Sequence, residues 1–266
     1  MNRGKLEMLT RLGFAARGVM YVLIGLIALQ AGRAEDGAGA LESLDGSTGK
    51  ILLALMALGF VAYGAWRLAD AVLDNEGHGS DGKGLAMRIG GAASGLIHLG
   101  LAWFAAGLAL GDRSSGTGGD STQSGAATAL DLPGGWMLLL AAAAGLLLVG
   151  LYQLVNAAKG TFLRRLDPRA SGQTWVRVAG RAGYAARGIV FLIMAWFLGQ
   201  AGLAGRAGEA GGMGEAVDSL PQNVELGVAV GLLLFGLFSF VEARHRRLHD
   251  PAEMLPGHGT NGARRP

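Results

Sequence analysis

Six long stretches of apolar residues, each nearly free of charge, recur along the chain. Each stretch is close to the ~20 residues that an α-helix needs to cross a hydrocarbon core of ~30 Å. A soluble helix of this length would carry charged residues on every turn of its wet face, and these stretches do not. The pattern predicts six membrane-spanning helices, at residues 12–31, 51–69, 89–111, 136–158, 182–204 and 226–241.

Two short patterns occur three times each and in the same order. Odd-numbered spans open with R-x-G-x-A-A-x-G, at residues 11–18, 88–95 and 181–188. Even-numbered spans carry two glycines five residues apart, then an aromatic residue, then a polar residue four positions later. The aromatic and polar residues are Trp66 and Asp70, Tyr152 and Asn156, and Phe238 and Glu242. The chain is therefore predicted to be three copies of one helix hairpin, over residues 1–87, 88–180 and 181–266.

The repeats also predict an architecture. Because each copy contains two spans, all three copies enter the membrane in the same direction, as parallel repeats do. We expect an all-α integral membrane protein in which three parallel helix hairpins are related by a pseudo-three-fold axis along the membrane normal. Short segments with apolar spacing precede the even spans, at residues 40–44, 129–132 and 216–220. They are predicted to form short interfacial helices.

The R-x-G-x-A-A-[RS]-G hairpin resembles the bacterial membrane family called domain of unknown function 1206. The resemblance extends over nearly the whole chain, apart from roughly the first ten and last twenty residues. It implies a bacterial inner-membrane protein with six spans in three repeats. It implies no catalytic residues.

Charge is scarce and unevenly distributed. Charged residues make up 16% of the chain, well below the roughly 25% of soluble domains. Of the 23 Lys and Arg residues, 19 lie on one side, either in the segments before the first span, between even and odd spans and after the last span or within the adjoining ends of the spans, and 4 lie in the other loops. The positive-inside rule then places both termini in the cytoplasm. These basic residues lie at helix ends, so the net charge of +3 does not predict nucleic-acid binding.

Arginines inside the odd spans need partners, because an unpaired guanidinium in a bilayer costs at least ~2.5 kcal/mol when central. Arg17 and Arg187 occupy equivalent positions, and acidic residues close two even spans on the same side. The sequence predicts that Arg17 pairs with Asp70 and that Arg187 pairs with Glu242, each within its own hairpin.

The second repeat has neutral residues at both positions, Ser94 and Asn156. Their joint loss of charge favours pairing and makes them the predicted neutral counterpart. On the even spans, Trp66, Tyr152 and Phe238 each lie one turn from the polar residue, on the same helix face. We expect them to form an aromatic shelf for the arginines. Two interpretations of the pairs remain open: they fix the hairpins, or they converge as an anion or head-group site.

His98 is the one histidine inside a predicted span, one turn after Ser94. A serine and a histidine four residues apart on one helix have the wrong geometry for a catalytic dyad, so we predict a local hydrogen bond instead. Glu242, His245 and His249 have a spacing that can hold a metal, but neighbouring arginines would repel a cation. We therefore expect no metal and no cofactor, and the chain lacks cysteine ligands altogether.

Clusters of arginine beside a membrane favour anionic head groups. Arg164, Arg165, Arg246 and Arg247 are predicted to face lipid at the cytoplasmic surface. Two functions follow from the sequence. The favoured one is a non-enzymatic membrane protein that acts as a scaffold or interacts with lipid. The alternative is a small conduit or transporter for an anionic or small solute along the pseudo-three-fold axis, which would need a polar axial cavity.

Overall fold

The computed structural model describes residues 3–31, 37–44, 46–74, 77, 79–111 and 121–246, which are almost entirely helical. Their α-helices are α1 Arg3–Ala31, α2 Gly37–Glu42, α3 Gly46–Leu73, α4 Gly82–Leu110, α5 Ser121–Leu130, α6 Gly135–Lys159, α7 Pro168–Ser171, α8 Thr174–Ala204, α9 Met213–Asp218 and α10 Gln222–His245. Within these ranges the extended structure amounts to one antiparallel bridge, between Leu166 and Arg246.

Six of these helices, α1, α3, α4, α6, α8 and α10, are long and apolar enough to cross a membrane. The six predicted spans are therefore confirmed. Most of the helices extend beyond the predicted apolar runs, because a helix satisfies its own backbone hydrogen bonds both inside and outside the hydrocarbon layer. The end of the bundle at which α3, α6 and α10 end, and at which α4 and α8 begin, is called the basic end below.

The long helices pack in the order α4–α3–α1–α10–α8–α6, each against the next. The first repeat forms a packed hairpin of α1 and α3, and the third forms one of α8 and α10. Among the described residues, α4 and α6 of the second repeat share no comparable interface and form the two ends of the series. The expectation of three packed hairpins therefore fails for the second repeat.

Three pairs of glycines join helices of different repeats. A Cβ added to the even-helix glycine of each pair would lie 2.8 to 3.1 Å from the carbonyl oxygen of its partner, so no side chain fits. Such close backbone approach is how membrane helices associate without a hydrophobic force between them. The pairs are Gly64 with Gly95 between α3 and α4, Gly150 with Gly188 between α6 and α8, and Gly236 with Gly18 between α10 and α1.

In the first and third repeats the two long helices of the hairpin pack against each other through one face. The equivalent faces of α4 and α6 in the second repeat are exposed. Met20 and Val190 are 5% and 0% exposed, whereas Ile97 at the equivalent position is 63% exposed. A Cβ added at Gly231 would overlap α8, whereas one added at the equivalent Gly145 would meet nothing within 4 Å. The two exposed strips are called the open seam, and consist of Gly90, Ala93, Ile97 and Gly100 on α4 and Ala142, Gly145 and Val149 on α6.

Short helices precede the even-numbered long helices, as predicted. They are α2, α5 and α9. Leu41 of α2 and Val217 of α9 are fully buried, in the same apolar core as Ile24, Leu232 and Phe235. These helices therefore pack against the bundle at the end opposite the basic end.

Candidate anion site among buried arginines

Arg17 is 7% exposed and forms an ion pair with Glu242 of α10. Its Nε donates to Ser239 Oγ at 3.2 Å, and Nη1 lies 3.5 Å from the Tyr63 hydroxyl. The predicted pairing of Arg17 with Asp70 is wrong. Because Gly18 and Gly236 bring α1 and α10 into backbone contact, the nearest carboxylate comes from the third repeat rather than from the same hairpin.

Glu242 accepts a second arginine. Arg246 Nη1 donates to Glu242 Oε1 at 2.8 Å, and the side chains are 5% and 1% exposed. The Arg246 guanidinium also lies over the rings of Phe14, at 4.7 Å, and Trp66, at 5.5 Å. The prediction that Arg246 faces lipid is therefore wrong, since its side chain is held between Glu242 of α10 and rings of α1 and α3.

The other arginines predicted to face lipid differ among themselves. Arg164 is exposed, Arg165 is partly buried and has an interaction of its own, and residue 247 lies outside the described residues. Asp70 is 1% exposed at the end of α3 and also takes part in an interaction.

Arg187 has no hydrogen bond or ion pair to any described residue, and its Nε is buried. Its guanidinium lies over three aromatic rings, those of Tyr21 at 5.2 Å, Phe191 at 4.9 Å and Phe235 at 4.5 Å. The predicted pairing of Arg187 with Glu242 is wrong, because Glu242 is already shared by two other arginines.

Helix α6, which packs against α8, carries no carboxylate. At the position of Asp70 and Glu242, α6 carries Asn156, which is 7% exposed and accepts a hydrogen bond from Thr161. Gln153, one turn earlier on α6, is 6% exposed. Arg187 thus lies among aromatic rings of α1, α8 and α10, and α6, which packs against α8, carries neutral polar residues at the equivalent level of the repeat.

Arg67 of α3 is a site residue that the sequence analysis missed. Its guanidinium lies 5.2 Å from the Trp66 ring and 5.9 Å from the Tyr63 ring. Its Nε is buried without a partner among the described residues. Gly95 of α4 packs against Arg67, since a Cβ added at Gly95 would lie 3.2 Å from the Cβ of Arg67. Arg67 therefore stands at the same interface as Ser94.

Each of the three helix pairs that join the repeats carries one arginine and one smaller polar residue at equivalent positions of the repeat. The helix that supplies the arginine differs among the pairs. Arg17 and Arg187 come from the odd-numbered spans α1 and α8, whereas Arg67 comes from the even-numbered span α3, which packs against the second repeat. Ser94 and Asn156 are therefore not a neutral pair, since their helices share no extensive interface within the described chain. The combinations are Arg17 with Ser239, Arg67 with Ser94, and Arg187 with Gln153.

His98 forms the predicted local hydrogen bond. Its Nδ1 lies 2.7 Å from the backbone carbonyl oxygen of Ser94, and its ring centroid lies 4.4 Å from that of Tyr63. Its Nε2 is buried without a partner among the described residues. Arg17 and Arg67 lie 5.8 and 5.9 Å from the same Tyr63 ring, and Arg17 and Arg187 lie 4.9 and 4.5 Å from the Phe235 ring. The three arginines and His98 therefore form one cluster around Tyr63 and Phe235.

The predicted aromatic shelf is only partly present. Trp66 contacts Arg67 and Arg246, but Tyr152 is 43% exposed, and Phe238 packs against Phe162. The rings beside Arg17 are instead those of Phe14, Tyr63 and Phe235. The repeat itself contains the signal, since Tyr63 and Phe235 occupy equivalent positions seven residues before Asp70 and Glu242.

The possible metal ligands near the end of α10 serve other contacts. His245 Nδ1 donates to Asp167 Oδ2 at 2.6 Å, and residue 249 lies outside the described residues. The described part of the chain contains no group of three or more residues suited to hold a metal ion. The backbone N–H of Ala170, at 2.8 Å, and then His245 lower the pKa of Asp167, which lies outside the long helices.

Six long apolar helices and a repeated sequence unit define a multi-pass membrane protein with internal repeats. The chain belongs to the family described as Domain of Unknown Function (DUF1206), whose sequence profile matches residues 12–74, 89–160 and 182–246. An uncharacterized protein of Bacillus subtilis (strain 168), YxxB, is 29% identical over an alignment of 251 residues, and the match covers 90% of each chain. No solved structure matches the chain.

Proposed function

We propose that this protein is a non-enzymatic integral membrane protein that binds the anionic head group of a membrane lipid among partly buried arginines. One observation carries the proposal. In the described residues, the buried side-chain polar atoms without any partner are Nε of Arg67, Nε of Arg187 and Nε2 of His98, and all three belong to one cluster. Buried polar groups are nearly always hydrogen-bonded, so an orphaned set in one place calls for a ligand.

The chemistry of the three atoms defines the ligand. Guanidinium groups donate to phosphate and carboxylate oxygens in charge-assisted hydrogen bonds. His98 donates through Nδ1 to the Ser94 carbonyl, so the neutral ring leaves Nε2 as an acceptor. A phosphate ester that also carries a hydroxyl group satisfies two donors and one acceptor. The phosphodiester of a polyol lipid head group has this composition.

Charge balance supports an anion at Arg187. Aromatic rings stabilise a cation by about 0.5–1 kcal/mol each, more when desolvated. A bilayer-embedded guanidinium costs ~2.5 kcal/mol or more, and Arg187 has no carboxylate partner among the described residues. A bound phosphate supplies the missing negative charge, which Asn156 does not.

The arrangement of the repeats belongs to the same proposal. We infer an approximate three-fold axis that relates the glycine contacts between repeats and brings their three arginines to one level. The distribution of Lys and Arg supports a cytoplasmic location for the basic end and for both termini, in the inner membrane of a bacterium. The head group would then come from the cytoplasmic leaflet, where anionic lipids attract basic residues.

Two features favour lipid binding over the alternative functions. The path toward the opposite end of the bundle is filled by Ile24, Leu232 and Phe235, each 0% exposed, which does not favour a solute conduit. His98 engages the backbone of Ser94 rather than its hydroxyl, which leaves Ser94 without an activating base.

The test is lipid binding by the purified protein in nanodiscs, read by native mass spectrometry. Dioleoyl phosphatidylglycerol should bind in preference to dioleoyl phosphatidylcholine, and Arg187→Gln should weaken its binding roughly 10- to 150-fold, as expected for a lost charge-assisted hydrogen bond of ~1.5–3 kcal/mol. Arg164→Gln is the matched control, because Arg164 is exposed. An equal loss of lipid binding in both variants would show that the lipid is attracted by surface charge alone. Binding of inorganic phosphate with no lipid preference would assign the site to a soluble anion instead.

A further inference from the structure

We infer that the open seam binds an acyl chain of the lipid whose head group lies at Arg67, Arg187 and His98. The inference rests on the proposed function and extends it, because it makes the ligand a membrane-embedded lipid that enters sideways between α4 and α6. Three observations carry it: the seam is uncovered, it has the depth of one leaflet, and the Nε atoms of Arg67 and Arg187 are buried without a partner among the described residues.

The first observation comes from comparing the repeats. The first and third repeats cover the corresponding face with their own partner helix, so that Tyr63 and Phe235 are 3% and 0% exposed, whereas the equivalent Val149 is 38% exposed. Gly90 and Gly145 face open space, since an added Cβ would meet nothing within 4 Å. The second repeat thus keeps the small residues that form a helix interface in the other repeats, but no helix packs against them within the described residues.

The second observation is depth. The strip on α4 runs from Gly90 to Gly100, and ten residues of helix rise about 15 Å. This is half of a ~30 Å hydrocarbon core, the thickness of one leaflet. Ser94, which corresponds to Arg187 in the repeat, lies at a height between Gly90 and Gly100 on an adjoining face of α4, and Gly100 lies about 9 Å further toward the middle of the bilayer. An acyl chain whose head group lies at the height of Arg187 therefore lies along the strip.

The third observation is charge, which decides between occupants. A second copy of the protein, placed with its own seam against this one, would bring two sets of uncompensated arginines together, and like charges repel. A phospholipid brings its own phosphate to Arg187 and a head-group hydroxyl to His98 Nε2, so the apolar strip and the cationic cluster are satisfied by one molecule. Charge complementarity therefore favours a diacyl anionic phospholipid.

The experiment fills the seam. Gly145→Leu places a side chain in the open space on α6. Gly100→Leu does the same on α4, so the test does not depend on whether a single variant folds. Ala144→Leu is the control, because its position is exposed and lies about 100° around the helix from Gly145. Binding is measured with two probes: dioleoyl phosphatidylglycerol in nanodiscs, and water-soluble sn-glycerol 3-phosphate on detergent-solubilised protein.

We expect both seam variants to bind the long-chain lipid about tenfold more weakly, because the acyl chain loses buried methylene contacts, while glycerol 3-phosphate binding stays unchanged. Ala144→Leu should match the native protein with both probes. Unchanged lipid binding in both seam variants would overturn the seam but leave the head-group site standing. Failure of the native protein to bind either probe would overturn the proposed function itself. A native dimer that Gly145→Leu converts to monomer, with lipid binding unchanged, would make a second copy the occupant and overturn the inference.

Discussion

Arg17 of α1 and Glu242 of α10 form a buried ion pair across 225 residues of sequence. The pair joins the first repeat to the third. Removing one member of a buried pair leaves an uncompensated charge, typically at a cost of 3 to 5 kcal/mol. Glu242→Gln should therefore lower the thermal stability of the detergent-solubilised protein, by a few kcal/mol in free energy.

A double-mutant cycle separates this pairing from the alternative within the hairpin. Arg17→Gln combined with Glu242→Gln should destabilise less than the sum of the single changes, because interacting residues are coupled. Arg17→Gln combined with Asp70→Asn should give additive losses. Coupling in the second cycle and additivity in the first would contradict the observed geometry.

Arg187 should behave in the opposite way to Arg17. Since no described carboxylate pairs with it, Arg187→Gln removes a costly buried charge and loses mainly its contacts with aromatic rings. In lipid-free detergent the variant should be within about 1 kcal/mol of the native protein, or more stable. Circular dichroism melts of Arg187→Gln and Arg17→Gln provide the comparison. A loss at Arg187 as large as that at Arg17 would indicate a structural partner in place of a ligand.

Equivalent glycines in two repeats should respond differently to alanine. An added Cβ at Gly231 would lie 2.5 Å from the Ala186 Cβ, whereas Gly145 has open space. Gly231→Ala should destabilise by about 1–3 kcal/mol through overpacking. Gly145→Ala should be neutral or stabilise by up to about 1 kcal/mol, as in an open helix position. Equal effects at both positions would mean that the second repeat closes like the others in solution.

The loop before α8 should loosen at acidic pH. The pKa of Asp167 is lowered by the Ala170 backbone N–H and by His245, so its contribution to stability is present above the unfolded-state pKa and is lost as pH falls through the lower, folded-state pKa. Amide exchange of residues 160–173 should therefore increase in that acidic range. Asp167→Asn, which keeps the side-chain shape, should remove most of the pH dependence; an unchanged profile would assign it to other groups.

The topology prediction is tested by reporter fusions. Alkaline phosphatase fused after Gly172 should be inactive and green fluorescent protein at the same point fluorescent, because the Lys and Arg distribution places this loop in the cytoplasm. A fusion after Gly134 serves as the opposite control. Reversed activities would overturn the proposed orientation and the leaflet from which the lipid is drawn.

The sequence was informative about local structure. The six long helices and the three short ones before α3, α6 and α10 follow from apolar run length and spacing, which are properties of neighbouring residues. The pairing of helices was not predictable in the same way. Neighbours along the chain usually pack together, yet Glu242 reaches Arg17 because Gly18 and Gly236 are small enough for α10 to lie against α1.

The site was predicted only in part, for a related reason. Arg17 and Arg187 were identified because they recur at one position of the repeat. Arg67 was missed because its counterparts on the other even helices are Gln153 and Ser239, so no repeat of charge marks it. Arg246 resembled an orientation signal, and its burial against Phe14 and Trp66 depends on the packing of α10 beside α1 and α3, which sequence periodicity does not encode.

The contact between α1 and α10 also constrains how the protein is made. At about 5–20 residues per second, roughly 10 to 45 s of translation separate the synthesis of Arg17 from that of Glu242. During this interval α1 is already in the bilayer without its main partner. The nascent chain therefore passes through a stage in which Arg17 needs a temporary neighbour, such as the insertion machinery or a phospholipid. The contact between α1 and α10, at the middle of the helix series, therefore forms at the end of biogenesis rather than at its beginning.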